Sequence, residues 1–182
     1  SRLQAQNTTS GSSYLGSDGL LKFAAEDEPR IEYAADGSLK GLLIEEQRTN
    51  LVTHPEDFSN ASWPKVGSVA IDSTLVTGPD GALSGRRVLN FADAGGDRLA
   101  EYVPITNATL TGSAWVKGEG DNIGKDIQIT VKRSGGTFAG ASVSHTLTAD
   151  WVRLNATFTQ DPTNTGANIV LNNPANGNEA SE

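Results

Sequence analysis

The fold is decided by strands such as WVRLNATFT, residues 151–159, in which apolar and polar side chains alternate. The apolar set consists of Val152, Leu154, Ala156 and Phe158. Successive side chains of a strand point to opposite faces of its sheet. A period of two therefore predicts an antiparallel strand with one face on a core and one in solvent.

The same alternation extends outward along the chain. It recurs in LTGSAWVK, residues 110–117, and in DIQITVK, residues 126–132. Eight short strands separated by turn residues are typical of a sandwich or jelly roll. We therefore predict an all-β fold, an antiparallel β-sandwich (jelly roll). The other predicted strands are 69–76, 86–91, 98–105, 139–147 and 168–171.

The first fifty residues carry a different signal, namely tight turns. Asp18-Gly19 and Asp36-Gly37 each lie between β-prone segments, and Asp-Gly supplies the positive φ angles of hairpin turns. This predicts a small β-hairpin unit in which residues 12–15 pair with 20–24, and 30–33 with 39–44. Residues 1–11 are mostly polar, and this composition predicts an extended arm. We expect two parts: residues 1–50, the arm and hairpin unit, and residues 51–182, the sandwich.

The composition argues against several classes of binding partner. The chain has a formal net charge of −8 and a pI near 4.7, so its surface repels the phosphates of nucleic acids. No apolar run is long enough for a transmembrane helix, and we expect no membrane insertion. There is no cysteine, which excludes disulfides and thiolate metal sites.

Two blocks resemble a known family. GLLIEEQRTNL, residues 41–51, is followed by FSNASW, residues 58–63. This pairing resembles phage and prophage tail-associated structural proteins, where it precedes a jelly-roll domain similar to carbohydrate-binding modules of the galactose-binding-like kind. In such proteins a further apolar strand follows the region that resembles residues 177–179. We therefore expect the sandwich to lack its last strand.

The resemblance implies a function. It implies a non-enzymatic structural component of a phage tail fibre, spike or other virion-surface assembly, located in the virion or outside the cell. It also implies a homo-oligomer, with a trimer as the default, in contact with other virion proteins and with host surface polysaccharide. The alternative is a carbohydrate-binding module of a secreted bacterial enzyme or adhesin.

Signals of catalysis are weak. The sequence contains no Gly-x-Ser-x-Gly, Walker A or His-Glu-x-x-His motif. Its two histidines, His54 and His145, have no nucleophile or ligand cluster around them in the sequence. We expect no enzyme and no cofactor.

Two tryptophans suggest a glycan platform. Trp115 and Trp151 fall on the polar faces of their predicted strands, where an uncovered indole is costly. Sugars present flat C–H faces that stack on indoles, and Lys117, Gln128 and Arg153 could supply hydrogen bonds. The alternative is that another part of the molecule or a second subunit covers these rings.

A charged run predicts a structural junction. Glu45, Arg48 and Asn50 lie in the segment between the hairpin unit and the sandwich. Arg48 is expected to bridge a carboxylate and backbone carbonyls, with Asn50 capping a turn. The alternative is that this segment is a recognition loop.

Two acidic loops are candidates for a structural calcium ion, which jelly rolls of the resembled kind often hold. One contains Asp93 and Asp97, and the other contains Glu119, Asp121 and Asp126. Calcium requires six to eight oxygen ligands. Neither loop has the spacing of a defined motif, so solvated acidic turns are the alternative.

Overall fold

The computed structural model describes residues 13–25, 28–44, 49–90 and 96–174. Within these ranges the chain forms thirteen strands and one 3-10 helix, Gly120–Asn122. The strands are β1 Ser13–Leu15, β2 Leu21–Phe23, β3 Ile31–Tyr33, β4 Leu39–Leu42, β5 Lys65–Val66, β6 Ala70–Thr77, β7 Leu83–Leu89, β8 Arg98–Val103, β9 Thr109–Val116, β10 Asp126–Arg133, β11 Gly140–Thr146, β12 Val152–Thr159 and β13 Ala167–Asn172.

The chain divides into two compact units. The first unit comprises Ser1–Asn50 and Leu75–Gly85, and the second comprises Leu51–Thr74 and Arg86–Glu182. In the first unit, β1 pairs with β2 and β3 pairs with β4, both antiparallel. The segment Leu75–Gly85 contains the turn between β6 and β7. It is tied to β2 by a hydrogen bond from Leu21 N to Pro79 O of 3.0 Å.

The second unit is built around a five-stranded sheet in the order β11-β10-β13-β8-β5. Strand pairs are antiparallel throughout, with Ile129 opposite Val143 on one side and Leu171 on the other. Strands β9 and β12 form a separate antiparallel pair in which Leu154 lies opposite Ala114.

The core of the second unit lies between these two sheets. Ile129 and Val131 of β10 are fully buried, and Leu154 and Ala156 of β12 belong to the same hydrophobic cluster. The sheets approach so closely that a Cβ added to Gly112 of β9 would lie 2.7 Å from Val131 Cγ2. A glycine at this position therefore allows the sandwich to close.

The segment FSNASW forms turns that direct an indole into the core. Asn60 Oδ1 accepts a hydrogen bond from Ser62 N at 3.0 Å, as amide side chains do in tight turns. Trp63 is buried and contacts Phe58 edge to face at 5.0 Å between ring centroids. Its Nε1 donates to His54 O at 2.8 Å, which satisfies the polar atom of the buried ring.

The predicted fold class is confirmed. The chain is all-β, with an antiparallel sandwich of the jelly-roll kind and a small hairpin unit that comes before it in the sequence. The alternation did not predict β5, because a strand of two residues cannot display a period. The division into units also differs from a boundary at residue 50, since Leu75–Gly85 clusters with the first unit.

Candidate functional site

Trp115 and Arg153 lie side by side on the solvent face of the β9–β12 pair. They are directly opposite each other in the register, and the apolar residues Ala114 and Leu154 occupy the core face. The Trp115 side chain is partly buried, whereas Arg153 is exposed. Arg153 Nη2 donates to Ser113 Oγ at 3.1 Å, which holds the guanidinium across the two strands.

Trp151 and Lys117 lie just beyond the last ladder pair, Val152 with Val116. A hydrogen bond from Gly118 N to Thr148 O of 2.8 Å, two residues off the ladder register, keeps the two segments together there. Alternation along each strand predicts that both side chains lie on the solvent face, as Trp115 and Arg153 do. We call Trp115, Lys117, Trp151 and Arg153 the tryptophan–cation patch.

The structure separates Gln128 from these four residues. Gln128 lies on β10, in the five-stranded sheet, opposite Ser144 and Asn172. Its neighbours Ile127 and Ile129 face the core, so its own side chain points to the far side of the sandwich. Alternation shows that a residue points away from the core. It does not show which of the two sheets carries that residue, because each sheet has an outer face.

The outer face of the five-stranded sheet presents a second polar surface. We call it the five-strand face and define it by Tyr102, Gln128, Lys132, Ser142, Ser144 and Asn168. The side chains at its centre are hydrogen-bonded to each other. Gln128 Nε2 donates to Ser144 Oγ at 3.0 Å, and the hydroxyls of Thr130 and Ser142 lie 2.8 Å apart. Thr130 is itself buried, so it forms the floor of this surface.

Tyr102 is the aromatic residue of the five-strand face, and the sequence analysis missed it. Its side chain is 50% exposed, while Leu99 on the core face of the same strand is fully buried. The ring lies against Gly166, where an added Cβ would overlap the ring atoms. Tyr102 Oη also donates to Thr165 O at 3.4 Å. The signal that could have found it is the alternation within β8, where Tyr102 is the aromatic on the polar face.

Tyr102 belongs to a row of side chains that crosses three strands. It lies opposite Asn168 of β13, which in turn lies opposite Lys132 of β10. Neighbouring strands are about 4.8 Å apart, so the row extends over roughly 10 Å. It combines an aromatic ring, an amide and an ammonium group, and the last two are partly accessible.

The five-strand face also contains a buried amide with an unused acceptor. Asn172 is 8% exposed and lies between Arg98 and Gln128 in the register. Its Nδ2 donates to Asn173 O at 3.1 Å, whereas Oδ1 accepts no hydrogen bond within the part of the chain that the structure describes. An unpaired buried acceptor carries a free-energy cost, which a donor from a ligand or water would remove.

The predicted junction lies mostly outside the described residues. Glu45 and Arg48 are not among them, and Asn50 is exposed at the end of the first unit. The bridging role of Arg48 therefore stays a prediction.

The acidic loops do not converge on a cation site in the described ranges. Asp93 lies outside them. The buried Asp97 accepts a hydrogen bond from Ser68 N at 2.7 Å, and this contact requires a glycine at position 67. Asp121 is exposed in the 3-10 helix, and Asp126 accepts from Thr146 Oγ1 at 2.6 Å. Among these ranges, no three acidic or histidine side chains gather in one place.

Glu119 forms an ion pair with Arg87. Arg87 Nε and Nη2 lie 2.6 and 2.9 Å from its two carboxylate oxygens, a bidentate geometry. This hydrogen bonding lowers the pKa of Glu119, and the charge of Arg87 adds to the effect. Arg87 also lies 3.9 Å from Asp72 of β6, so it connects β7 to β6 and to the loop after β9.

Comparisons with known proteins identify no family. No family model matches the chain. No curated protein matches it. Three solved chains do, and one belongs to the N-terminal CBM22-1-CBM22-2 tandem domain of Xyn10C from Paenibacillus barcinonensis. The identity is 16% and the TM-score 0.49, over 75% of this chain and 45% of that one. This chain thus spans less than half of that neighbour. In the described residues, no helix has the length and hydrophobicity needed to cross a membrane.

Proposed function

We propose that this chain is a non-catalytic, extracellular carbohydrate-binding domain that holds a neutral glycan on the five-strand face. The observation that carries the proposal is the half-exposed ring of Tyr102, held against Gly166 beside Asn168 and Lys132. The ring lies against backbone and stays half exposed, so the C–H surface of a sugar can pack on its exposed part. The groups next to it can bond to the sugar hydroxyls.

The chemistry of the face favours a neutral ligand. Across the five-strand face the accessible groups are mostly amides and hydroxyls, from Asn168 next to Tyr102 and from Gln128, Ser142 and Ser144 two or three strands away. Such groups both donate and accept, as sugar hydroxyls do. An open surface with one aromatic ring buries little area, so we expect a Kd of about 1 mM to 1 µM.

Placement in a virion, a trimeric state and contacts with other virion proteins stay predictions from the sequence resemblance. They are compatible with glycan binding, because repeated copies on one assembly would convert weak single sites into strong overall attachment.

The test is binding of the full chain to a panel of soluble neutral polysaccharides, by affinity electrophoresis and calorimetry. Tyr102→Ala should abolish binding, whereas Tyr102→Phe should retain it, because the ring remains and only the bond to Thr165 O is lost. Gly166→Ala should also weaken binding, because its Cβ displaces the ring.

Phe23→Ala is the matched control, since this aromatic is 51% exposed and lies in the first unit. Unchanged affinity in Tyr102→Ala, or equal loss in Tyr102→Phe, would contradict the proposal. Release of reducing sugar ends during incubation would contradict its non-catalytic part.

A further inference from the structure

We infer that the tryptophan–cation patch is a second glycan site, selective for an acidic polysaccharide in which uronate residues are interspersed with neutral ones. The patch is carried by β9 and β12, so this inference does not depend on the five-strand face. It rests on three features of the patch: the arrangement of its side chains, their charge, and the strip of surface that continues from them.

The four side chains alternate in type. Trp115 is opposite Arg153 in the ladder, and alternation predicts Lys117 and Trp151 on the same face, two residues further along each strand. Side chains on one face of a strand repeat about every 7 Å, and paired residues are about 5 Å apart. The two indoles therefore occupy one diagonal of a small rectangle, and the two cations occupy the other. A chain that crosses it meets rings and positive charges in turn.

The two cations are available for an anionic ligand. Within the described residues, neither Lys117 nor Arg153 forms an ion pair, although the protein carries a net charge of −8. Glu119, the acidic residue two positions after Lys117, is held by Arg87 at 2.6 Å. The patch thus carries two cations outside any ion pair on an acidic protein, although the charge of Lys117 also helps to lower the pKa of Glu119. A guanidinium matches a planar carboxylate with two parallel hydrogen bonds.

A polar strip continues from the patch along both strands. The hydroxyls of Thr111 and Thr157 lie 2.8 Å apart, and those of Thr109 and Thr159 lie 3.0 Å apart. All four side chains are exposed. From Lys117 to Thr109 the strip measures roughly 26 Å at about 3.3 Å per residue. That length suits an extended polymer rather than a single sugar.

The net charge of the protein limits how acidic the polymer can be. A surface with a charge of −8 repels a polyanion with a charge on every unit, such as single-stranded nucleic acid. A polymer whose uronates are separated by neutral sugars suffers less repulsion, and its neutral residues can stack on the indoles. The alternation of rings and cations in the patch matches that composition.

The experiment measures binding of the native full chain to a soluble uronate-containing heteropolysaccharide and to the same polymer after reduction of its carboxyl groups. We expect reduction of the carboxyl groups to weaken binding by about tenfold or more. Added salt should weaken binding of the acidic polymer but not of the reduced one. Trp115→Ala and Arg153→Gln should each weaken binding of the acidic polymer by about tenfold, whereas Phe23→Ala, at an exposed aromatic of the first unit outside both proposed sites, should not.

The other outcomes overturn the inference. Equal affinity for the reduced polymer would remove the role of charge, and tighter binding of a sulfated polysaccharide or single-stranded DNA would identify a different anion. If Trp115→Ala dissociates an oligomer in light scattering, the patch is an interface between copies. Should that variant fail to fold, Arg153→Gln and the reduced polymer decide the question with folded protein.

Discussion

The two units differ in where their large apolar side chains lie. In the second unit, Leu99, Ile129 and Val131 are 0% exposed. In the first unit, Leu39 and Ile44 are 65% and 68% exposed, and no described residue of that unit contributes to the buried apolar core. Hydrophobic burial therefore stabilises the second unit, and the first unit is ordered by other interactions.

Tight turns supply much of the order in the first unit. Gly19 and Gly37 have φ angles of +73° and +79°, which the hairpin turns require. Asp18 Oδ1 accepts from Leu20 N at 3.1 Å, and Asp36 Oδ1 accepts from Ser38 N at 2.9 Å. The difference between the units shows that the same strand geometry can be held by a core or by local turn bonds.

The largest expected effect is the loss of a core side chain. Ile129→Ala should lower the free energy of unfolding by about 2–5 kcal/mol, because it removes buried apolar surface and leaves a cavity. Leu39→Ala is the control in the first unit. Because Leu39 is largely exposed, this variant should change the free energy of unfolding by less than about 0.5 kcal/mol. Urea unfolding followed by residue-resolved hydrogen exchange, which reports on each unit separately, measures both. Comparable losses in the two variants would mean that Leu39 is buried in solution and would remove the difference between the units.

A smaller effect is expected from filling the space where the two sheets meet. In Gly112→Ala the new Cβ would lie 2.7 Å from Val131 Cγ2 and 3.2 Å from Ile169 Cγ2, so we expect a loss of about 1–3 kcal/mol. The Gly112→Ala/Val131→Ala double variant should lose less than the sum of its single variants, since it removes the closest contact. Additive losses in thermal or urea melts would show that the sheets are not closely packed here.

The smallest effect concerns acid and the turns of the first unit. Hydrogen bonds from Lys22 and then from Leu20 N lower the pKa of Asp18, and those from Ser38 lower the pKa of Asp36. A carboxyl whose folded pKa is below its unfolded value of about 3.9 stabilises the fold above that pH. This stabilisation disappears as the pH falls through the folded pKa.

We therefore expect the hairpins of the first unit to lose amide protection below about pH 4, before the core strands of the second unit. Hydrogen exchange and NMR titration of the aspartate carboxyls measure both events. Simultaneous loss in the two units, or Asp18 and Asp36 midpoints at or above ordinary values, would contradict the turn-based account.

The sequence predicted the strands well and the candidate sites in part. Each of the eight strands expected after residue 60 overlaps an observed strand, because alternation is a local property of the backbone. Of the five residues predicted for a glycan platform, Trp115 and Arg153 lie opposite each other, whereas Gln128 lies on another sheet. Alternation within β8 could have placed Tyr102 on a polar face, but not its support by Gly166, which is distant in the sequence.

By itself, the sequence determined which side chain of each strand faces the core, where the hairpins turn, and that the surface is acidic. These properties depend on two-residue periodicity, on glycine at positive φ, and on charge, and each acts within a few residues. Only the tertiary structure decided that Trp115 and Arg153 share one sheet while Tyr102 and Gln128 share the other. Sheet membership depends on hydrogen bonds and burial between distant segments, and many strand orders satisfy the same local pattern.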